Sequence, residues 1–239
     1  PEAMFVISSS RFARADYRKA METPSLRWVQ TGGSGYENLA PWDAERITLT
    51  NGVGVLAPYL AETAMGAMLM LNGGLLRYHD RQRERAWDPA PFPPLAGQTL
   101  LVVGAGAIGR EVAARARAFG VTTIGLSRDG APRAPFDETG RVAEIERHLP
   151  RADIVSCHLR LNAETAGMFN ARRFGLMKPG ALFLTSARGG HVDEPALLAA
   201  LRSGHIRGAW LDVFATEPLP AESPLWDAPN LLVTPHSAD

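Results

Sequence analysis

The sequence is poor in cysteine, has no excess of charge of either sign and contains no long uninterrupted hydrophobic run. Cys157 is the only cysteine among 239 residues, which excludes an internal disulfide and fits a reducing compartment. Lys plus Arg and Asp plus Glu number 25 each, so no global field attracts nucleic acid or an anionic membrane. The apolar patch from Met65 to Leu76 is interrupted by Asn-Gly-Gly at residues 72–74 and is too short to span a bilayer. We therefore expect a cytoplasmic protein that binds neither nucleic acid nor membranes, and we predict no metal site.

The clearest motif is the glycine cluster inside LLVVGAGAIGREVAARARAFG, residues 100–120. A continuous apolar run precedes the cluster, and apolar residues recur at helical spacing after it, so the order is strand, glycine turn, helix. In a dinucleotide-binding turn the first glycine permits the bend, the second admits the pyrophosphate and the third lets helix and strand pack closely. A bare structural turn is the alternative. The predicted cofactor contacts are Gly104, Gly106, Ala107, Ile108 and Gly109.

A second cluster, Gly52-Val53-Gly54-Val55-Leu56-Ala57, fits the same spacing in a weaker context. Threonines at positions 48 and 50 make the segment before the cluster less apolar than a buried strand, and Pro58 follows the cluster immediately. The spacing alone therefore does not identify a cofactor site, and the residues around Gly104 are the better candidate.

From Gln98 onward, short apolar runs alternate with helical patterns such as Arg141 to Leu149 and Glu194 to Ser203. This alternation predicts an α/β fold with a doubly wound parallel sheet of the Rossmann type. The predicted strands are Thr99 to Val103, Val121 to Leu126, Ile154 to Leu159, Ala181 to Thr185, Gly208 to Val213 and Leu231 to Thr234.

The first part of the chain has fewer and shorter apolar runs, and a proline-rich segment separates it from the predicted sheet. Proline occupies positions 89, 91, 93 and 94, which predicts a linker over residues 88–94. One long helix is predicted over Pro58 to Tyr78. We predict a partial first domain over residues 1–64 and a dinucleotide-binding domain over 65–239. The short apolar runs of the first domain are Met4 to Ile7, Arg27 to Gln30 and Ile47 to Leu49, and they alternate with helical patterns up to about Asn51.

Three polar residues follow predicted strands at the sheet edge where such folds bind ligands. Arg188 follows ALFLTS, Glu217 follows GAWLDVF and His236 follows NLLVT. Each residue alone fits an ordinary surface position. Together they supply what reduction of a keto acid needs, because arginine can hold a carboxylate bidentately, histidine can donate a proton, and a carboxylate beside the histidine stabilises its protonated form.

The segment SARGGHVDEPALLAALRSGHIRGAWLDVFATEPLPAESPLWDAPNLLVTPHSA closely resembles the D-isomer-specific 2-hydroxyacid dehydrogenases, in which ARG, DVF..EP and TPH carry these groups in this order. The glycine turn, MKPGALFLTSARGG and the loop GSGYENL extend the resemblance. It implies Arg188 as substrate anchor, His236 as acid/base and Glu217 as its partner. It places Asp212 near the nicotinamide amide.

The resemblance also implies a partial flavodoxin-like substrate domain, with Gly52 and Gly54 in its hinge. Backbone N–H groups of Gly33, Ser34 and Gly35 are expected to bind the substrate carboxylate. We further expect a homodimer. Additional cofactor contacts are expected from Leu159, Ser186 and Ala187.

Three departures from the family pattern carry information. NAD-specific members place an aspartate at the end of the second strand, where this chain has Ser127 and Arg128, so we predict NADPH; NADH stays open because Asp129 could supply the missing acid. Arg160 replaces a common proline and is either a second phosphate contact or solvent-facing. Family members extend further at both ends, so the chain is expected to lack their first strand and closing helix.

The predicted function is reduction of a small 2-keto acid, such as glyoxylate or hydroxypyruvate, to the D-2-hydroxy acid. A dinucleotide-sensing corepressor-like scaffold of the same fold is the alternative. Formate dehydrogenase, a third relative of this fold, is disfavoured because it lacks a glutamate where Glu217 stands.

Overall fold

The computed structural model describes residues 2–6, 14–36, 39 and 41–238. They form two compact units, Pro1–Pro58 and Tyr59–Asp239. The strands are β1 (Ala3–Val6), β2 (Trp28–Thr31), β3 (Thr48–Thr50), β4 (Thr99–Val103), β5 (Thr122–Ser127), β6 (Glu138–Arg141), β7 (Ile154–Cys157), β8 (Ala181–Thr185), β9 (Ile206–Leu211) and β10 (Leu231–Val233). The helices are α1 (Arg14–Met21), α2 (Ala57–Asn72), α3 (Leu75–Arg83), α4 (Ala107–Arg117), α5 (Ile145–His148), α6 (Ala171–Leu176) and α7 (Glu194–Arg202).

The smaller unit contains a parallel three-stranded sheet in the order β1-β2-β3. Its three strands lie where the first three apolar runs predict them, although Ile7 of the first run lies outside the described residues. The unit has its own apolar cluster, which includes Tyr17, Leu26, Val29 and Ile47. A three-stranded parallel α/β unit therefore precedes the larger sheet along the chain.

The larger unit is built on seven strands, each parallel to its neighbours, in the order β10-β9-β8-β7-β4-β5-β6. Chain order runs from β4 outward through β5 and β6, and then restarts on the other side of β4 with β7. Doubly wound folds bind ligands beyond the carboxyl ends of their strands at such a reversal. The predicted doubly wound parallel sheet is confirmed.

Successive residues of the central strands point to opposite faces of this sheet and fill two separate cores. Leu101 and Val103 pack with α5, α6 and α7, whereas Leu100 and Val102 pack with α2 and α4. We call the second side the α2/α4 face. Burial on both sides explains why these strands read as continuous apolar runs rather than alternating ones.

The prediction of one helix over Pro58 to Tyr78 is wrong, because α2 ends at Asn72 and α3 begins at Leu75. Gly74 between them has φ 64°, a left-handed conformation that ends a helix and that glycine adopts without steric cost. The Asn-Gly-Gly sequence was visible, but the apolar pattern on either side of it suggested continuity. Residues 88–94, predicted as a linker, contain neither helix nor strand and lie within the larger unit.

Two elements of the larger unit were not predicted. The edge strand β6, Glu138–Arg141, has the sequence ETGR and lacks the apolar signal of the inner strands. Helix α6 is only six residues long, and its start is fixed by the Asn170 side chain, which accepts a hydrogen bond from the Arg173 N–H. The sequence of β6 contains no apolar run, and six residues are too few for a helical period to reveal α6.

No described helix has both the length and the apolarity that crossing a bilayer requires. In the described part of the chain, no group of three or more His, Cys, Asp or Glu side chains is arranged to hold a metal ion.

Candidate active site at the carboxyl edge of the sheet

The glycine turn after β4 has the shape that a dinucleotide needs. Gly104 has φ 111°, and a Cβ on it would lie 2.6 Å from the His158 carbonyl oxygen. A Cβ on Gly109 would lie 2.3 Å from the Gly104 oxygen and 2.7 Å from Cγ1 of Val102, so helix and strand touch there. At Gly106 a Cβ would meet no described atom within 4 Å. Gly104 and Gly109 thus permit close packing, whereas Gly106 faces open space where a dinucleotide can approach.

Helix α4 presents its amino end to this open space. Gly106 is the N-cap residue, no side chain caps the helix, and its first turn contains no acidic residue. The first N–H groups of a helix lack intrahelical partners and carry a partial positive charge, so they attract anions. The residues present therefore fit the pyrophosphate of a dinucleotide, which would lie against Gly106, Ala107 and Ile108.

At the end of β5, the Ser127 side chain forms hydrogen bonds with three residues of its own loop. The Ser127 hydroxyl donates to Oδ1 of Asp129 at 2.9 Å and accepts from the Gly130 N–H at 3.1 Å and from Nη1 of Arg133 at 2.5 Å. The hydrogen-bonding capacity of Ser127 is used inside its own loop. Sequence reasoning missed Arg133, whose only signal was its position four residues after Asp129.

Arg133 also binds Asp129 directly, through Nη1 to Oδ1 and Nη2 to Oδ2, each at 2.8 Å. This pairing, with the Ala131 N–H and the Ser127 hydroxyl, holds the pKa of Asp129 well below its usual range. The carboxylate that could have replaced the family's acidic residue is therefore neutralised by a guanidinium. Arg128 is exposed and has no ion-pair or hydrogen-bond partner among the described residues.

The predicted acid/base pair is assembled. Oε2 of Glu217 lies 2.7 Å from Nδ1 of His236, and Oε1 accepts from the Phe214 N–H at 2.9 Å. The hydrogen bond to Glu217 raises the pKa of His236 above its ordinary value, against the opposing effect of burial. Burial favours the neutral form of Glu217, but the hydrogen bonds from His236 and Phe214 outweigh it and lower the pKa of the carboxyl. The pair favours a protonated imidazole beside an ionised carboxylate.

Arg188 acts electrostatically on both members of this pair. Its positive charge favours the ionised form of Glu217 and opposes the rise in the pKa of His236. Its Nη1 donates to the Ala187 carbonyl at 2.7 Å, and its own carbonyl lies 2.9 Å from Nδ1 of His191. His191, fully buried, was not singled out in the sequence and ties down the loop that carries Arg188.

Asp212 holds the chain segment that carries His236. Its Oδ1 accepts from the Thr234 hydroxyl at 2.5 Å and from the Ser237 N–H at 3.0 Å, and its Oδ2 accepts from the Ala238 N–H at 3.2 Å. Asp212 is 1% exposed. His236 lies between these contacts with φ 51°, a conformation that a non-glycine residue adopts only where surrounding contacts impose it. The buried carboxylate therefore positions His236, the predicted acid/base residue.

The remaining predicted residues divide between core and surface. Leu159 and Ala187 are partly buried and pack against the α5/α6/α7 core, while Arg160 is exposed. Cys157 is fully buried, and burial raises the pKa of its thiol to about 12, so its side chain packs in the core and is unsuited to act as a nucleophile. Ser186 is buried, and no described atom bonds its hydroxyl.

The predicted carboxylate-binding loop lies in the smaller unit. The Gly33 carbonyl accepts from the Thr31 hydroxyl at 2.8 Å and from the Gly52 N–H at 3.1 Å, and the Ser34 carbonyl accepts from Nδ2 of Asn51 at 3.0 Å. The carbonyl groups of this loop thus anchor it to Asn51 and Gly52. Residues 37 and 38 of the GSGYENL motif lie outside the described residues.

Sequence comparison supports the geometry. The sequence model of the family "D-isomer specific 2-hydroxyacid dehydrogenase, NAD binding domain" matches residues 65–238. The chain is 37% identical over 220 residues to a D-3-phosphoglycerate dehydrogenase of Mycobacterium leprae, covering 89% of this chain and 41% of that protein. It is 36% identical over 221 residues to glyoxylate/hydroxypyruvate reductase B of Citrobacter koseri, covering 89% of this chain and 68% of that protein.

A solved structure is similar over nearly the whole chain. It is an NADPH-dependent glyoxylate/hydroxypyruvate reductase of Sinorhizobium meliloti, in complex with NADP and sulfate. The TM-score is 0.83 at 30% identity, and the alignment covers 98% of this chain and 75% of that one. The chain therefore spans under half of the phosphoglycerate dehydrogenase that it matches and about two thirds to three quarters of the two reductases.

Proposed function

The chain belongs to the D-isomer specific 2-hydroxyacid dehydrogenase family, and from this premise we propose that it reduces small 2-keto acids to D-2-hydroxy acids with NADPH. Glyoxylate and hydroxypyruvate are the substrates we put first, because the matched reductases carry those names. The named relatives are enzymes, and nothing in them favours the corepressor-like alternative.

One observation carries the proposal: a hydrogen-bonded His236–Glu217 pair, with Arg188 acting on both, stands at the same sheet edge as the glycine turn. Reduction of a keto acid needs a proton donor for the carbonyl oxygen and a cation for the carboxylate. A bidentate arginine fits a planar carboxylate, and a histidine with a raised pKa keeps its proton to higher pH than an ordinary histidine does.

His236 supplies the proton through the nitrogen that Glu217 does not occupy. Nδ1 is hydrogen-bonded to the carboxylate, so Nε2 is left to face the substrate oxygen. When bound, NADPH supplies a hydride to the keto carbon. The oxygen takes the proton from Nε2, Glu217 stabilises the imidazolium before transfer, and Arg188 holds the substrate carboxylate so that carbon and oxygen meet their partners. The neutral imidazole that remains is reprotonated from solvent.

The cofactor is proposed to lie across the edge of the sheet at the switch point. Gly104, Gly106 and Gly109 shape the turn, and the start of α4 binds the pyrophosphate. Arg128 is the proposed contact for the 2′-phosphate, because it is an exposed guanidinium directly after β5. The Ser127 hydroxyl supports this loop through its contacts with Asp129 and Arg133 rather than acting as a phosphate donor.

The domain roles follow the family. Residues 1–64 are proposed as part of a substrate domain in which N–H groups of Gly33, Ser34 and Gly35 bind the substrate carboxylate, and 65–239 as the dinucleotide-binding domain. Asp212 is proposed to lie near the nicotinamide amide while it holds the His236 segment. A cytoplasmic homodimer is proposed as the working assembly.

The decisive experiment is a steady-state assay with NADPH and NADH over a panel of keto acids, followed by chiral analysis of the product. We expect turnover of glyoxylate and hydroxypyruvate, and the D-isomer from every keto acid whose product is chiral. Binding of NADPH without turnover of any keto acid would contradict the proposal, and so would an L-product.

A further inference from the structure

Side chains rather than a neighbouring strand hold the backbone of the loop that carries Glu217. Residues 212–219, which follow β9, contain neither helix nor strand. Two successive N–H groups of this loop donate to carboxylates. The Phe214 N–H donates to Oε1 of Glu217 at 2.9 Å, within the loop itself. The Ala215 N–H donates at 2.7 Å to Oε1 of Glu194, which reaches the loop from the start of α7.

The same stretch of backbone lies against the residue that follows Arg188. A Cβ on Gly189 would lie 1.9 Å from the Phe214 carbonyl carbon and 2.3 Å from the Ala215 nitrogen, so only a glycine lets the two backbones approach this closely. Gly189 is itself buried. The peptide between Phe214 and Ala215 therefore sets the spacing between the loop that carries Arg188 and the loop that carries Glu217.

Helix α7 gives Glu194 a fixed base. Asp193 caps the helix, since its Oδ1 accepts from the Ala196 N–H at 3.0 Å, and its own N–H donates to the Phe169 carbonyl at 2.9 Å. Three leucines of the helix pack in the α5/α6/α7 core: Leu197, Leu198 and Leu201. The Glu194 carboxylate thus extends from a helix that is held at its start and along its apolar face.

The charged groups that act on His236 are Glu217, Arg188 and Asp212. The hydrogen bond to Glu217 is the largest effect and raises the pKa of His236, as do the charges of Glu217 and Asp212; burial and the charge of Arg188 lower it. Glu217 and Arg188 belong to the two loops that meet at the Phe214 carbonyl. A displacement of that peptide would therefore change the acid/base pair and the substrate anchor together.

We infer that Glu194 is a positioning residue: by accepting the Ala215 N–H, it holds the peptide against which both loops pack. This contact keeps Glu217 on Nδ1 of His236 and keeps Arg188 in place beside that pair. The inference rests on the proposed function, in which these three residues act on the keto acid. The role needs only the hydrogen bond that the Glu194 oxygen accepts. A negative charge at the start of α7 would stabilise the helix whether or not it reached the loop.

Two conservative substitutions separate the hydrogen bond from the charge. Glu194→Gln keeps an oxygen at the same reach and removes the charge, whereas Glu194→Asp keeps the charge and is one methylene too short to reach the Ala215 N–H. We expect Glu194→Gln to behave as the wild type and Glu194→Asp to behave as Glu194→Ala. A role limited to the charge at the start of α7 predicts the reverse order.

The first readout is the pKa of His236, measured by NMR titration of the protein without cofactor or substrate. His236→Asn identifies its signal among the six histidines of the chain. In Glu194→Ala and Glu194→Asp the pKa should fall toward the ordinary histidine value of about 6.5, part of the way that it falls in Glu217→Gln. Asp193→Ala is the matched control, because it removes the cap of α7 and should lower the Tm without changing this pKa.

The second readout is the reaction itself. Glu194→Ala and Glu194→Asp should lower kcat/KM for the keto acid about tenfold, because small displacements of catalytic groups are costly. The loss should divide between a lower kcat and a higher KM, since the proton donor and the substrate anchor are both displaced. NADPH affinity should stay within about twofold of the wild-type value, and so should kcat/KM in Glu194→Gln and Asp193→Ala.

An unchanged His236 pKa in both Glu194→Ala and Glu194→Asp would overturn the inference. A wild-type pKa in Glu194→Asp together with a lowered one in Glu194→Gln would overturn it as well, and this comparison decides even if Glu194→Ala does not fold. Failure of the proposed function has a different signature. The wild type would then reduce no keto acid, whereas the pKa differences among the variants, which need no substrate, would still be measured.

Discussion

Nδ1 of His236 and Oε2 of Glu217 are 2.7 Å apart although the two residues are 19 positions apart in the chain. The contact occupies Nδ1 and leaves Nε2 as the imidazole nitrogen that is available for proton transfer to a substrate. It also sets the sign of the pH dependence, since a carboxylate at Nδ1 stabilises the imidazolium and raises the pKa of His236. Both consequences are measurable without knowing the natural substrate.

The rate of keto-acid reduction should fall as pH rises through the raised pKa of His236, because reduction consumes its proton. In Glu217→Gln the carboxylate is lost, so this fall should move to lower pH, toward the ordinary histidine value of about 6.5. His236→Asn should lose about 100-fold or more in kcat at every pH. The measurement is kcat/KM against pH with saturating NADPH.

The same pair predicts a stability effect of defined sign. The folded-state pKa of His236 lies above its unfolded value, so the stabilisation is fully present below the unfolded pKa and is lost as pH rises through the folded one. The difference in Tm between wild type and Glu217→Gln should therefore shrink with rising pH across that window. A rate profile and a Tm difference that are both independent of pH would remove Glu217 from this role.

Arg188→Lys should raise the KM for the keto acid about tenfold or more and lower kcat, because lysine cannot reproduce the planar fork that binds a carboxylate. NADPH affinity, measured by fluorescence titration, should change little. Arg172→Lys is a matched control, since Arg172 pairs with Glu146 on the surface. A loss of NADPH affinity as large as the loss of turnover would identify Arg188 as a cofactor residue instead.

Gly106→Ala should weaken NADPH binding without loss of stability, whereas Gly109→Ala should lower the stability of the protein itself. At position 106 a Cβ meets no described atom, so the free protein should keep its Tm while NADPH binding falls at least tenfold. At position 109 a Cβ would lie 2.3 Å from the Gly104 oxygen, so overpacking should lower stability by about 1–3 kcal/mol. Scanning calorimetry measures the stability of both variants, and titration calorimetry measures their affinity for NADPH. Equal losses of stability would show that Gly106 is not reserved for a ligand.

Asp212→Asn should cost about 1–3 kcal/mol of stability, because the amide nitrogen cannot accept the hydrogen bonds that the buried carboxylate receives. It faces the Ala238 N–H or the Thr234 and Ser237 donors, depending on which oxygen is replaced. Activity should fall further than NADPH affinity, since the segment that carries His236 is released. Denaturant titration and fluorescence binding measure the two effects. Full activity in the variant would refute a positioning role for Asp212.

Much of the larger unit could be predicted from sequence because its strands are buried on both faces. Continuous apolar runs such as Leu100 to Val103 and Ala181 to Thr185 have few other structural explanations. Where burial is partial, the signal fails. The edge strand ETGR could not be predicted because it has no apolar run. The break inside the helix predicted over Pro58 to Tyr78 was also missed, because it depends on the left-handed conformation of Gly74.

Residue types and strand order were enough to identify Arg188, Glu217 and His236 as candidates, because the carboxyl ends of parallel strands meet at one edge. The sequence could not reveal how polar groups pair there. The contacts of Arg133 with Asp129, and of Glu194 with the Ala215 N–H, depend on side-chain geometry in three dimensions. Asp212 appears in the family pattern as a cofactor neighbour, yet its hydrogen bonds show that it also holds the His236 segment.

Cofactor preference should depend on the loop after β5. Arg133 binds both oxygens of Asp129, which leaves Arg128 as the exposed charge and favours the 2′-phosphate of NADPH over NADH by at least about tenfold in kcat/KM. Arg128→Ala should remove most of this preference. Arg133→Ala should release Asp129 to accept hydrogen bonds from the ribose 2′-hydroxyl and to repel a 2′-phosphate, so it should improve NADH use as well as weaken NADPH use. Ser127→Asp with Arg128→Ala should invert the preference.

Asp129→Ala is the matched control for Arg133→Ala. Because this variant lacks the carboxylate that would accept hydrogen bonds from the ribose 2′-hydroxyl, its NADH use should not improve. The measurement is kcat/KM for both cofactors with one keto acid at fixed saturating concentration. A wild-type preference for NADH would overturn the assignment directly, and improved NADH use in Arg133→Ala that persists when Asp129 is also removed would exclude this carboxylate as its cause.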